Sequence, residues 1–202
     1  MKILYLLKRL VFRLRTDGLR ESLKDVVYFN KSIVAIEKTL ESNPIDKKHN
    51  IDFVIADATN YQECQEKSGI KNLAYYCKRG ARCLIALQEG RYVGHQWWTF
   101  QNGFIDLEKL DVKLLDNDAY LFDLFVLPEH RGSAVPKMVA WETYNHLISL
   151  GIQRIYGFYF SDNIQALWWH RAVLKAKEIK KIKAHRFFIF EIIGGKLFLT
   201  LQ

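Results

Sequence analysis

Ile3, Leu4, Leu7, Leu10, Val11 and Leu14 recur three and four residues apart, while Lys8, Arg9, Arg13 and Arg15 fall largely on the other side. This spacing predicts a basic amphipathic helix, ended at Asp17-Gly18. Leu19, Leu23, Val26 and Val27 predict a second short helix, and residues 33–40 alternate weakly, as a strand would. A polar run from Ser42-Asn43-Pro44 to Asn50 reads as a loop. From there the pattern switches repeatedly between periods of two and 3.6. Residues 52–56 predict a strand and residues 60–79 a helix broken near Gly69. Strands over 82–87 and 92–100 flank Glu89-Gly90, a hairpin turn. Residues 101–117 are a polar excursion with no predicted element. Residues 119–127 (AYLFDLFVL) form the strongest strand signal. A helix over 134–150 is closed by Gly151. A strand follows over 152–160, and Ser161-Asp162 caps a helix from Asn163 to about Lys177. Residues 187–193 and 196–201 flank Gly194-Gly195, a second hairpin.

The order implies an α/β fold whose central sheet is mixed, mostly antiparallel, and flanked by helices. The 202 residues suffice for one domain with its own core and are few for two. Residues 1–50 read as an N-terminal helical extension and residues 51–202 as the main domain.

Composition narrows the function classes. Half of the chain is hydrophobic and 14% is aromatic, which excludes a disordered chain. The formal charge of +8 is concentrated in the first fifteen residues and between Arg171 and Arg186, so an anionic partner or ligand is expected. Cys64, Cys77 and Cys83 show no CxxC spacing and are odd in number, which reads as reduced, buried thiols. The six histidines show no metal-ligand spacing, so no metal is expected. No stretch approaches the ~20 apolar residues of a bilayer span. The N-terminus lacks a cleavage site for secretion. The expected location is cytoplasmic, with the inner membrane face as an alternative. The basic helix would pack on its own domain, lie on an anionic membrane, or mediate a homodimer. No nucleic-acid-binding module accompanies the charge.

The chemistry-bearing segment is Leu124-Phe125-Val126-Leu127-Pro128-Glu129-His130-Arg131-Gly132-Ser133-Ala134-Val135-Pro136. A strand runs through a short loop into a helix, whose first amides have no helical partner and whose dipole favours an anion. This segment resembles the GNAT superfamily of N-acetyltransferases. Val126-Leu127-Pro128-Glu129-His130-Arg131 matches that family's strand exit, V-x-P-E-x-R. Arg131 to Pro136 matches its pyrophosphate loop imperfectly, with Ala134 for the first glycine and Pro136 for the second small residue. The resemblance implies acetyl-CoA as co-substrate, held by Arg131, Gly132, Ser133, Ala134 and Val135. Downstream, Asn163-Ile164-Gln165-Ala166 fits the family's N-x-x-A, and His170 falls where a Tyr or His often stands. The resemblance gives Asn163 a coenzyme contact, which helix capping would explain equally, and gives His170 the role of acid for the leaving thiolate. It covers roughly residues 51–193.

In such chemistry an amine must be neutral to attack, and a base takes its proton. Main-chain N–H groups near Val126 or Leu127 would polarise the thioester carbonyl. Asp123, a charge within an apolar strand, is either a paired structural carboxylate or the base and amine anchor; Asp118 is a weaker rival. The Tyr and Trp side chains near the presumed acceptor cleft would suit a ring-shaped or sugar-like amine. The expected activity is therefore acetyl transfer to a primary amine on a small molecule or cell-envelope precursor. A non-catalytic binding protein on the same fold and an aminoacyl-tRNA-dependent transferase are the alternatives.

Overall fold

The computed structural model describes residues 28–42, 50–187 and 190–199. The two N-terminal helices expected within residues 3–27 lie outside the described residues. The elements are β1 (Tyr28–Thr39), β2 (Ile51–Ala56), α1 (Tyr61–Ser68), α2 (Leu73–Cys77), β3 (Ala81–Gln88), β4 (Arg91–Thr99), α3 (Ile105–Leu110), β5 (Asp118–Val126), α4 (Val135–Ser149), β6 (Arg154–Phe160), α5 (Ile164–Trp168), β7 (Lys177–Phe187), β8 (Phe190–Ile193) and β9 (Lys196–Leu199). They divide between two compact units. One is Glu37–Gly157, and the other is the described part of Met1–Ile36 and Phe158–Gln202.

In the unit Glu37–Gly157 the strand order is β2-β3-β4-β5-β6, antiparallel except for the parallel β5–β6 pair. Successive strand residues point to opposite faces, and β4 shows what that does. Trp97 enters a cluster with Cys64 of α1, Leu73 and Cys77 of α2, and Cys83 and Ile85 of β3. Its neighbour Trp98 meets His146 of α4, with ring centroids 5.5 Å apart. Helices therefore cover both faces of the sheet. Helix α4 buries Val135, Val139, Thr143 and Leu147, four residues apart, together with Met138, Ala140 and Tyr144. It packs on β3, β4 and β5. All three thiols are free and buried, and burial raises the pKa of each, Cys77 to about 11. They are packing groups rather than nucleophiles.

Glu89 and Gly90 both have positive φ, at +52° and +73°, the backbone of the tight turn expected there. Gly94 is required by close approach, because a Cβ would lie 2.7 Å from the Phe125 carbonyl oxygen. The polar stretch 101–117 contains α3, an element the polarity hides. Leu107 and Leu110 are 1% exposed, and the Tyr120 hydroxyl donates to Asp106 at 3.2 Å.

In the other unit the order is β6-β1-β7-β8-β9. Val34 and Ile36 of β1 pack with Tyr159 of β6. The helix expected from Asn163 to Lys177 is corrected here. It is α-helical for one turn, continues as a single π turn over Trp169–Val173, and stops before Lys175, whose φ is +51°. The Lys-rich sequence beyond is β7, with Ile182 and Ala184 buried on alternate positions. Gly194 and Gly195, at φ +56° and +84°, make the predicted hairpin of β8 and β9.

Asp118 is structural. It is 1% exposed and takes a two-pronged bond from Arg154, at 3.0 Å for Nε and 3.0 Å for Nη2. It also accepts from the Leu115 amide at 2.9 Å. Arg154 is 36% exposed and can return to water, so Asp118→Ala is expected to cost about 2–4 kcal/mol rather than the full penalty of an orphaned buried charge. Urea denaturation checks this, read as a lower midpoint at unchanged slope.

Candidate active site

The strand-to-helix junction is built as follows. Leu127 leaves β5 into a single 3-10 turn, Pro128–His130. Arg131 is extended, Gly132 has φ +83°, and α4 begins at Val135 with Pro136 in its first turn. Arg131 stands over the Phe125 ring and donates from Nε to the Val126 carbonyl at 2.9 Å, which ties the loop back to its strand.

The amides of this loop are not equivalent, and the expectation of a continuous cradle is corrected. Leu127 N–H donates to the Val93 carbonyl at 2.9 Å, so Leu127 offers no oxyanion donor. Arg131 N–H donates to Pro128 at 3.2 Å and Ser133 N–H to His130 at 3.4 Å. Val135 N–H donates to the Ser133 hydroxyl at 3.1 Å, and that hydroxyl donates onward to the His130 carbonyl at 2.6 Å. Pro136 has no N–H. Among the described residues, the amides of Gly132, Ala134 and Lys137 have no internal acceptor. Gly132 is exposed, and a Cβ on it would meet open space. The loop therefore presents three free donors at the positive end of a 15-residue helix, beside the exposed Lys137 side chain.

A second feature adjoins the same strand. The β4–β5 register passes from His95–Phe125 to Trp97–Phe122, so β5 carries one extra residue there. The bulge contains Asp123 at φ +50°, a backbone region that Asp tolerates better than most residues. The Gln96 side chain fills the gap, donating to the Phe122 carbonyl at 2.9 Å and the Trp97 carbonyl at 3.2 Å. On its opposite edge β5 pairs with β6 from Asp118–Arg154 to Tyr120–Tyr156. The Leu127–Val93 bond makes Val126–Gly94 a non-hydrogen-bonded pair of the ladder, so the Val126 N–H faces away from β4.

Asp123 lies in a cleft of about 490 Å³ walled by Tyr76, Tyr92, His95, Trp97 and Phe125 and bordered by residues 68–72 of the α1–α2 connection. Its carboxylate is 60% exposed, with Oδ2 3.4 Å from His95 Nε2. The other ring nitrogen of His95, Nδ1, is 2.5 Å from the Tyr92 hydroxyl. With Asp123 ionised and the imidazole neutral, one proton arrangement satisfies the whole chain: Tyr92 donates to Nδ1, and Nε2–H donates to Asp123. Burial raises the Tyr92 pKa well above its ordinary value, so the phenol keeps its proton. Asp123 is a candidate from the sequence, whereas His95 is a residue that the sequence reading above does not single out. The polar pair His95-Gln96 inside an apolar strand was the available signal.

Asn163 and His170 belong to the other unit. Asn163 Oδ1 accepts from the Ala166 amide at 3.0 Å, a helix cap. The His170 ring stacks on Tyr159 with centroids 5.1 Å apart, and its Nδ1 is buried without a partner. Burial lowers its pKa to about 4, so near neutral pH it carries no cationic proton for a leaving group. The same shift is a stability statement. Between pH 6.5 and 4 the unfolded chain binds the proton and the folded chain does not, so stability falls as pH falls through that window. The expected loss is on the order of 2–3 kcal/mol. Urea titrations across this window should show a shallower acid limb for His170→Phe.

Among the described residues, no group of three or more His, Cys, Asp or Glu is placed to hold a metal, and no helix is long and apolar enough to cross a membrane.

No protein-family model and no curated protein matches the sequence. Solved structures match its fold. A protein from Novosphingobium aromaticivorans assigned to the GNAT family of acetyltransferases is 12% identical with a TM-score of 0.54, covering 77% of this chain and 63% of that one. An N-acetyltransferase-like protein from Streptococcus suis is 12% identical with a TM-score of 0.51, covering 86% and 69%. A tandem GNAT protein from the clavulanic acid biosynthesis pathway is 11% identical with a TM-score of 0.51, covering 85% and 58%. This chain thus spans less than two thirds of the first and third of these proteins. At such identities the likeness establishes the fold: this chain has the mixed α/β fold of the GNAT N-acetyltransferases.

Proposed function

We propose that this chain is an acyl-CoA-dependent N-acyltransferase, with acetyl-CoA as donor and a primary amine of a small molecule or cell-envelope precursor as acceptor. The observation that carries the reading is the set of free amides at Gly132, Ala134 and Lys137 heading α4, on a fold shared with acetyltransferases. These amides, the helix dipole and the Lys137 side chain fit a pyrophosphate. When bound, the donor supplies an activated acyl thioester. The chain's own residues do the rest. Val126 N–H, turned away from β4, is the main-chain donor available to a carbonyl oxygen along that edge. Asp123 pairs with the acceptor's ammonium, takes its proton, and passes it to solvent through its exposed face. His95 is a positioning residue: it touches no substrate in this scheme and holds the Asp123 carboxylate through Nε2. His170, expected as the acid for the leaving thiolate, and Asn163, expected as a coenzyme contact, belong to the other unit and carry no step in this scheme.

The test is free-thiol release from acetyl-CoA with a panel of primary amines, together with thermal shift by coenzyme A alone. Stabilisation that saturates with coenzyme A, and thiol release above the amine-free rate, are expected. No shift at millimolar coenzyme A would overturn the reading. A second reading, a binding protein on the same fold, is favoured by the internally engaged Ser133 and Val135 amides and by Pro136. Amine-dependent thiol release excludes it.

A further inference from the structure

The cleft at Asp123 also carries information about its acceptor. Four aromatic side chains, Tyr76, Tyr92, Trp97 and Phe125, form its walls together with the His95 ring. They are braced against one another and the bulge. Tyr76 and Trp97 centroids are 5.0 Å apart, and His95 stacks on Phe125 at 5.6 Å and 27°. Fixed rings of this kind accept a flat apolar body edge-on or offset at little entropic cost.

The charges are as selective as the walls. Asp123 is the one carboxylate on the lining, and Lys71 is the cation at the α1–α2 side. A single ammonium finds a partner in Asp123, while a second or third cation on the same molecule meets Lys71 and no acid. A carboxylate beside the amine, as in an amino acid, would lie against Asp123 and be repelled. Side-chain hydrogen-bonding groups on the lining are few: the exposed Asn72 and the Tyr76 hydroxyl stand beside groups that are already engaged. The Ser68 hydroxyl is already spent, donating to the Cys64 carbonyl at 2.7 Å and accepting from Ile70 N–H at 3.3 Å. A polyhydroxylated sugar between the aromatic walls would exchange most of its water contacts for Asn72 and Tyr76, too few for its hydroxyls. The volume of about 490 Å³ suits a small ligand rather than a folded partner.

We infer that the acceptor is an arylalkylamine: a monoamine without an adjacent carboxylate, its aromatic ring between Tyr76, Tyr92 and Phe125 and its ammonium on Asp123. This rests on the reading of the chain as an N-acyltransferase, and its test does not need a donor. Calorimetric titration of the intact chain with phenethylamine and tryptamine measures binding directly. Spermidine, glucosamine, phenylalanine and 2-phenylethanol serve as controls. The expected result is saturable binding of the two arylalkylamines at least tenfold tighter than any control. Asp123→Asn should weaken it tenfold or more. Tyr76→Leu, which keeps the carboxylate, should narrow the gap between phenethylamine and cyclohexylethylamine. Tighter binding of glucosamine or spermidine, or affinity untouched by Asp123→Asn, would overturn the inference. If coenzyme A binds and arylalkylamines do not, the acceptor class alone is wrong. If arylalkylamines bind and coenzyme A does not, the transferase reading fails and the cleft assignment stands.

Discussion

Replacing Asp123 by asparagine should lower kcat/KM for amine acylation about 100-fold or more, the range for losing a positioned acid–base group, while coenzyme A binds as before. Asparagine is the discriminating choice because the site sits at φ +50°. Asn occupies that region as readily as Asp, so the bulge survives, whereas alanine would add backbone strain and confuse a folding defect with a catalytic one. The variant keeps the shape and loses the charge. It can neither hold an ammonium nor take its proton. Steady-state kinetics with varied amine, alongside coenzyme A titration, reads both quantities. His95→Gln should behave differently. A group that only orients the carboxylate is expected to cost about tenfold, and in the double variant its effect should nearly vanish, since nothing remains to orient. Equal, additive losses would mean that His95 acts on substrate itself.

Ala134→Asp should weaken coenzyme A binding while making the fold slightly more stable. Ala134 directly precedes α4 and contributes one of the three free amides. A carboxylate there sits at the positive end of the helix dipole and gains about 0.3–1 kcal/mol of stability. It also faces whatever anion the amides hold. At ~5 Å and an effective dielectric of ~40, repulsion from a doubly charged pyrophosphate is about 3 kcal/mol, or roughly a hundredfold in Kd. Stability and affinity thus move in opposite directions. A general folding defect cannot mimic that pattern. Thermal denaturation and calorimetry on one preparation supply both numbers. Unchanged affinity would place the anion site elsewhere.

Much of this architecture could be read from hydrophobic period. The alternating runs on either side of Glu89-Gly90, the apolar stretch 119–127 and the long helix ending at Gly151 each carry a local signal that tertiary context does not override. The stretch Lys177–Phe187 is different. Its lysines suit an exposed helix as well as an exposed strand face, and the decision is made by Lys175 at φ +51° and by Ile182 and Ala184 packing on one side. Helix α3 was hidden because Leu107 and Leu110 are its sole buried residues in a polar segment.

The site divides along the same line. Asp123 was conspicuous as a charge in an apolar strand, and the loop after Arg131 was visible as small residues opening a helix. Two things had no sequence signature. One is the bulge, which turns Asp123 out beside His95, because its position depends on β4–β5 register. The other is the fate of individual amides. Whether Ser133 leaves its neighbours free or binds Val135 N–H depends on a hydroxyl rotamer and on loop dihedrals, not on residue type. His170 is a third case: its identity fits an acid, and only its burial against Tyr159 shows that it stays neutral.

Three amides at the head of α4 decide whether the donor binds there. Backbone amide NMR of the intact chain during titration with coenzyme A reads each of them separately. Gly132, Ala134 and Lys137 should shift downfield and saturate together, while the Leu127 amide, held by Val93, stays in place. If coenzyme A at millimolar concentration leaves those three resonances unmoved, the donor is not bound at this helix and the proposed chemistry is wrong.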